Sequence, residues 1–123
     1  MTLSQEEKQH KQTVDKISIE ILTKATERAT LKVPGVYGLC DSLADNISKM
    51  ISGREGSTTG VKISKTKAGL CIQIYIVVRF GENIPQVAWE VQTSVKSAII
   101  ELSDYSEKDI KEININVLGV KNS

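Results

Sequence analysis

The longest apolar stretch of the chain, residues 70–80, alternates with the period of a β-strand rather than that of a helix. Its even-numbered positions are all large and apolar, whereas its odd-numbered positions mix thiol, amide, phenol, aliphatic and guanidinium groups. Because successive side chains of a strand point to opposite faces, the pattern predicts one core face and one mixed face. The residues expected in the core are Leu70, Ile72, Ile74, Ile76, Val78 and Phe80, with Gln73 and Arg79 facing water.

Three shorter segments also favour extended structure. Residues 36–40 follow a Pro-Gly turn, and residues 61–64 alternate before a turn at 66–69, which predicts a hairpin with the strand 70–80. Residues 112–118 alternate isoleucine or valine with polar groups, which predicts a closing strand with one wet face.

Three amphipathic helices are predicted, one before the first strand and two between strands. The first begins at Ser18 and ends before Pro34, the second follows Asp41 and stops at Gly53, and the third follows Asn83. Their apolar stripes are Ile21, Leu22, Ala25 and Ala29; Leu43, Ala44, Ile47, Met50 and Ile51; and Ile84, Val87, Ala88, Val91, Val95, Ala98, Ile99 and Leu102.

The element order α-β-α-β-β-α-β predicts an α+β fold. Each strand and each helix has one apolar surface to bury. A two-layer sandwich buries them all, with the helices packed on one face of a small mixed β-sheet. We expect residues 1–15 to be a flexible polar arm, residues 16–120 to form a single domain, and residues 121–123 to be a tail.

The charge balance excludes a broad electrostatic attraction. Lys and Arg total 16 against 15 Asp and Glu, so neither nucleic acid nor anionic lipid is strongly favoured. No apolar run approaches the roughly 18 residues that span a bilayer, so direct membrane insertion is not expected and the predicted location is the cytoplasm. Cys40 and Cys71 are isolated and are expected to act as small apolar residues.

Catalytic and metal-binding patterns are missing from the sequence. The one histidine, His10, lies in the polar arm, with nothing to hold it beside a cysteine or serine nucleophile. No cluster of His, Cys and carboxylate ligands has the spacing of a zinc site. We therefore expect no enzyme activity, no catalytic residues, no metal and no cofactor.

The loop GREGSTTG, residues 53–60, is a candidate ligand site because of its three glycines. It fails the pattern of a phosphate-binding P-loop, whose last glycine is followed by Lys, then by Ser or Thr, and then by a helix. Gly60 is followed instead by Val61 and a predicted strand. Its first four residues, Gly53 to Gly56, match the GxxG loop of KH domains, although the KH loop joins two helices. A small KH-like domain for single-stranded RNA is thus the alternative function.

Trp89 is the residue that most suggests a contact surface. On a helical wheel it lies roughly 140° from the inward stripe of the third helix, and Ile100 shares its outer side, with Thr93 and Lys96 between them. One interpretation is that the first helix or the arm covers this strip. The other is a partner-binding site, because tryptophan is enriched at the energetic centres of interfaces.

Several segments together resemble the alkaline-shock, or envelope stress response, protein family, known mainly from Gram-positive bacteria. They are ISIEIL, VPGVYGL, GVKI, IVVRFG, ENIPQVAWEVQTSVKSAI and ININVLGV, and they span about residues 16–120. The resemblance implies a non-enzymatic role in cell envelope homeostasis. It also implies self-association and gathering at the membrane periphery through a membrane-anchored partner protein. The positions that match the family pattern, expected to be turns and sheet core, are Gly35, Val36, Gly60, Val61, Gly81, Gly119 and Val120.

Overall fold

The computed structural model describes residues 19–40 and 60–122. The predicted arm, the predicted second helix and most of the loop 53–60 lie outside the described residues. The described elements are α1 (residues 19–31), β1 (Val36–Leu39), β2 (Val61–Thr66), β3 (Gly69–Arg79), α2 (Ile84–Leu102), a short 3-10 helix (Glu107–Asp109) and β4 (Ile110–Lys121).

Strand β3 is the centre of a mixed sheet. It pairs antiparallel with β2 along residues 69–74 and antiparallel with β1 along residues 76–78, so these two strands follow one another along one of its edges. Strand β4 runs parallel to β3 along the other edge. The predicted α+β fold with a small mixed sheet is confirmed, and β4 extends the predicted closing strand at both ends.

The alternation of β3 places its core face as predicted, with one exception. Leu70 is 1% exposed and the next four even-numbered residues are fully buried against the helices. Phe80, by contrast, is 72% exposed, so its predicted burial is wrong. The strand ends at Arg79, and Gly81, at φ +90°, turns the chain toward α2, so the alternation no longer governs position 80.

Helix α2 starts as its sequence indicates. The Asn83 side chain accepts a hydrogen bond from the Gln86 backbone N–H at 3.1 Å, and Pro85 lies in the first turn, where its missing N–H costs nothing. The predicted stripe is too long, since Ile84 and Leu102 at the helix ends are 39% and 54% exposed. Its buried residues are Val87, Val91, Val95 and Ile99.

Helix α1 packs through smaller residues than predicted. Ile21 is 46% exposed, which contradicts its assignment to the inward stripe. The buried residues of α1 and its exit are Leu22, Thr23, Thr26, Ala29, Thr30 and Val33. Short side chains let helices approach closely, and the Ser94 hydroxyl of α2 donates to the Ala29 carbonyl of α1 at 3.2 Å.

Candidate protein-contact site

Trp89 lies on the outer side of α2 with 59% of its surface exposed. The helix is regular at this point, and the Thr93 hydroxyl donates to the Trp89 carbonyl at 2.9 Å. The interpretation that the first helix covers Trp89 is therefore wrong, and the predicted arm lies outside the described residues. Exposure of this large apolar side chain to water is unfavourable, and burial against a partner would be a gain in free energy.

The structure brings the four sequence-predicted contact residues, Trp89, Thr93, Lys96 and Ile100, to one groove of about 590 Å³. We call it the Trp89 groove. One wall is the outer side of α2, and the other is the first part of β4, residues 110–113, with Glu107 of the 3-10 helix at one end. Ile100 is 39% exposed, so the groove offers an aliphatic and an aromatic surface.

Two polar contacts tie the walls of the groove together. The Gln92 side-chain amide donates to the Ile113 carbonyl of β4 at 2.8 Å. The Lys96 ammonium forms an ion pair with the Glu107 carboxylate, and this hydrogen bond and charge hold the pKa of Glu107 below its ordinary value. The groove is therefore a shaped surface with fixed sides rather than a gap between independent elements.

The groove borders the outer edge of β4. Within residues 19–40 and 60–122, β4 pairs only with β3, so its second edge has no strand beside it. The core-facing side chains Ile113, Ile115 and Val117 are only partly buried there. An unpaired edge with incompletely covered apolar side chains is a surface that can accept another chain.

Sequence reasoning missed the contribution of Gln92, Glu107 and β4. Gln92 is three residues after Trp89 and hence on the same side of the helix, so a helical wheel could have included it. The approach of β4 depends on its parallel pairing to β3, which no local sequence signal specifies.

The structure describes all seven positions matched to the family pattern, and they differ in their surroundings. Val36 and Val61 are 3% and 1% exposed. Gly60 has φ +83°, and an added Cβ would lie 2.9 Å from that of Leu39, so a side chain is excluded there on both counts. Val120 departs from the expectation because it is 50% exposed, and Gly119 lies within β4 rather than in a turn.

The described part of the chain also bears on the other sites that the sequence suggested or excluded. The loop Gly53–Gly56, on which the RNA-binding alternative depends, lies outside that part. No three His, Cys, Asp or Glu side chains of the described residues are grouped so that they could hold a metal ion. The described helices include none that is long and apolar enough to cross a membrane.

The fold and the groove define a small α+β protein with an exposed surface suited to protein contacts. The chain belongs to the alkaline shock protein 23 family, described as having a cell envelope-related function, whose model matches residues 6–122. This agrees with the alkaline-shock resemblance of the sequence.

Individual relatives extend this comparison. The uncharacterized protein YqhY of Bacillus subtilis (strain 168) is 30% identical over 105 residues, 85% of this chain and 75% of that protein. The uncharacterized protein Spy1535 of Streptococcus pyogenes serotype M6 is 32% identical over 106 residues, 85% of this chain and 76% of that protein. Among solved structures, a variant of MamM CTD matches with a TM-score of 0.46 and 16% identity, covering 83% of this chain and 95% of that one.

Proposed function

We propose that this protein is a non-enzymatic component of cell envelope homeostasis that associates with further copies of itself and with a membrane-anchored partner protein. It resides in the cytoplasm and gathers at the membrane periphery through that partner. The Trp89 groove and the adjoining edge of β4 form the contact surface. The observation that carries this proposal is the 59% exposure of Trp89 at the rim of a groove.

The side chains of the groove suit a protein partner. Trp89 and Ile100 provide the apolar centre, and the exposed Thr93 and the Lys96–Glu107 pair provide a polar margin. Interfaces commonly have this arrangement, in which a few large side chains supply most of the binding free energy and polar groups surround them.

Two carboxylates near the groove are held in their ionised form by local contacts. Glu107 and Asp109 have lowered pKa values, which follow from Lys96 and from hydrogen bonds donated by Ser106. Both carboxylates thus take part in local structural contacts.

Site-specific photo-crosslinking in cells tests the proposal. A photoreactive amino acid replaces Thr93 in the groove or, as the control, Lys67 in the hairpin turn between β2 and β3; both side chains are exposed. We expect crosslinks from position 93 to a second copy and to an integral membrane protein, and few from position 67. Equal crosslinking at both positions, or none to either partner at position 93, would contradict the proposal.

A further inference from the structure

The sheet face opposite the described helices α1 and α2, which we call the open face, carries two β-bulges at one point. On one side of β3, Val36 pairs with Val78 but Gly38 pairs with Val77, so Tyr37 is an extra residue. On the other side, Ile76 pairs with Val117 but Val77 pairs with Gly119, so Leu118 is an extra residue. Both neighbouring strands thus place two residues opposite Val77.

A bulge redirects side chains, and here both bulges present apolar groups beside Val77. Tyr37 is 40% exposed and Leu118 is 49% exposed. The two glycines of the bulges leave space between them, because a Cβ added to Gly38 or Gly119 would meet no atom within 4 Å. The result is a shallow apolar floor with an aromatic ring on one side.

Two cationic side chains, those of Arg79 and Lys121, lie at one end of this floor. Arg79 and Lys121 are paired in register on β3 and β4. The Arg79 guanidinium carbon lies 5.6 Å, and the Lys121 ammonium 5.1 Å, from the centroid of the Tyr37 ring. Arg79 also donates from Nε to the Pro34 carbonyl at 3.1 Å, which fixes its orientation. Within the described residues neither cation forms an ion pair with a carboxylate.

We propose that this bulge patch, formed by Tyr37, Gly38, Val77, Leu118 and Gly119 with Arg79 and Lys121, binds single-stranded nucleic acid. A base lies flat over Val77 in contact with Tyr37, and the backbone phosphates contact Arg79 and Lys121. The site is independent of the proposed function, since it lies on the sheet face opposite α1, α2 and the Trp89 groove.

The chemistry of the patch favours this ligand class over others. Exposed aromatic groups on an open sheet face stack unpaired bases, and cations beside them take the phosphates. A membrane surface would need a wider apolar area than two exposed side chains provide. The two cations have no carboxylate partner among the described residues, so they are complementary to phosphate, and Arg79 presents a planar donor fork that matches phosphate oxygens.

The number of phosphate contacts predicts how strongly the affinity depends on salt. Two phosphate contacts give a salt slope of about −1.4 for a single strand, so the affinity falls about sevenfold between about 50 and about 200 mM salt. Removal of one cation halves that slope. Loss of stacking weakens binding about fivefold or more without changing the slope.

Fluorescence anisotropy with the full chain and a labelled single-stranded RNA of about ten nucleotides tests the proposal. Arg79→Gln and Lys121→Gln are expected to halve the salt slope, and Tyr37→Leu to weaken binding at an unchanged slope. Gly119→Val fills the floor and is expected to prevent binding without altering charge. Lys67→Gln is the matched control for an exposed cation outside the patch, and each variant is checked by thermal melting.

The results separate the possible occupants of the patch. Binding of the single strand that depends on Tyr37, Arg79 and Lys121, and exceeds binding of duplex RNA, supports the proposal. Equal losses in Lys67→Gln, or no binding of wild-type protein at low salt, overturn it. Tyr37-dependent binding to anionic phospholipid vesicles or to polyglutamate, with none to RNA, also overturns the nucleic-acid assignment. Crosslinking at Thr93 is unaffected by any of these outcomes.

Discussion

Gly35 packs directly against Val87, so the exit from α1 and the first buried turn of α2 meet without a side chain between them. A Cβ at position 35 would overlap a methyl group of Val87, and the Gly35 backbone is held because its carbonyl accepts a hydrogen bond from the Arg79 N–H at 2.9 Å. Overpacking of this kind costs about 1–3 kcal/mol. We expect Gly35→Ala to lower the free energy of unfolding by that amount in urea titration.

Gly38→Ala is the matched control, because it lies three residues further in the same segment and a Cβ there meets nothing within 4 Å. Its free energy of unfolding should stay within about 0.5 kcal/mol of the wild type. Equal destabilisation by both substitutions would show that the Val87 contact is not the cause.

Thr26 carries a hydroxyl that is buried in the core and has no hydrogen-bond partner among the described residues. A buried unpaired hydroxyl costs about 1–3 kcal/mol, and valine has the same shape without the polar atom. We therefore expect Thr26→Val to raise the melting temperature. Thr30→Val is the control, since the Thr30 hydroxyl donates to the Thr26 carbonyl at 2.7 Å, and this variant should gain less or lose stability. The same gain in both would contradict the account.

Ile99 and Ile100 are adjacent residues with different surroundings. Ile99 is fully buried, and Ile100 is 39% exposed in the Trp89 groove. We expect Ile99→Ala to cost about 2–5 kcal/mol in stability, as removal of core methyl groups does. We expect Ile100→Ala to cost about 1 kcal/mol or less and to weaken association instead. Chemical denaturation and crosslinking of the two variants check this; a reversed order of stabilities would mean that the register of α2 is wrong.

The pKa of Glu107 is a measure of its ion pair with Lys96. Its folded-state pKa is lowered, so the stability it contributes is present above its unfolded pKa and is lost as pH falls through the lower folded pKa. We expect Lys96→Met to raise the pKa of Glu107 toward its ordinary value in an NMR carboxyl titration. The pKa of Asp109, lowered mainly by Ser106, should stay low in the same spectra. An unchanged Glu107 pKa would mean that the ion pair does not form in solution.

The sequence predicts the centre of this fold better than its borders. The alternation of residues 70–78 identifies the core strand because one residue in two is large and apolar there. Apolar periodicity fails at Phe80, where the strand has ended, and at Ile21, which is exposed while α1 buries Thr26 and Thr30. Apolar periodicity does not indicate buried threonines, whose methyl groups pack while their hydroxyls can bond to the preceding turn.

One of the two candidate sites is predicted by the sequence, and the other is not. The outward position of Trp89, Thr93, Lys96 and Ile100 follows from helical geometry, so the sequence alone predicts it. The bulges at Tyr37 and Leu118 cannot be predicted from the sequence alone, because each depends on the register between strands that are distant in sequence. No pattern within either strand shows that Tyr37, Arg79 and Lys121 meet.

The central claim is that Trp89 is the anchor of a protein contact, and sedimentation of the full chain tests it most directly. We expect the wild-type protein to associate in a concentration-dependent manner, and Trp89→Ala to sediment as a monomer with a melting temperature, measured on the dilute monomer, within a few degrees of the wild type. Phe80→Ala is the control, because Phe80 is 72% exposed but does not line the groove, and it should associate as the wild type does. Association that persists in Trp89→Ala would contradict the claim.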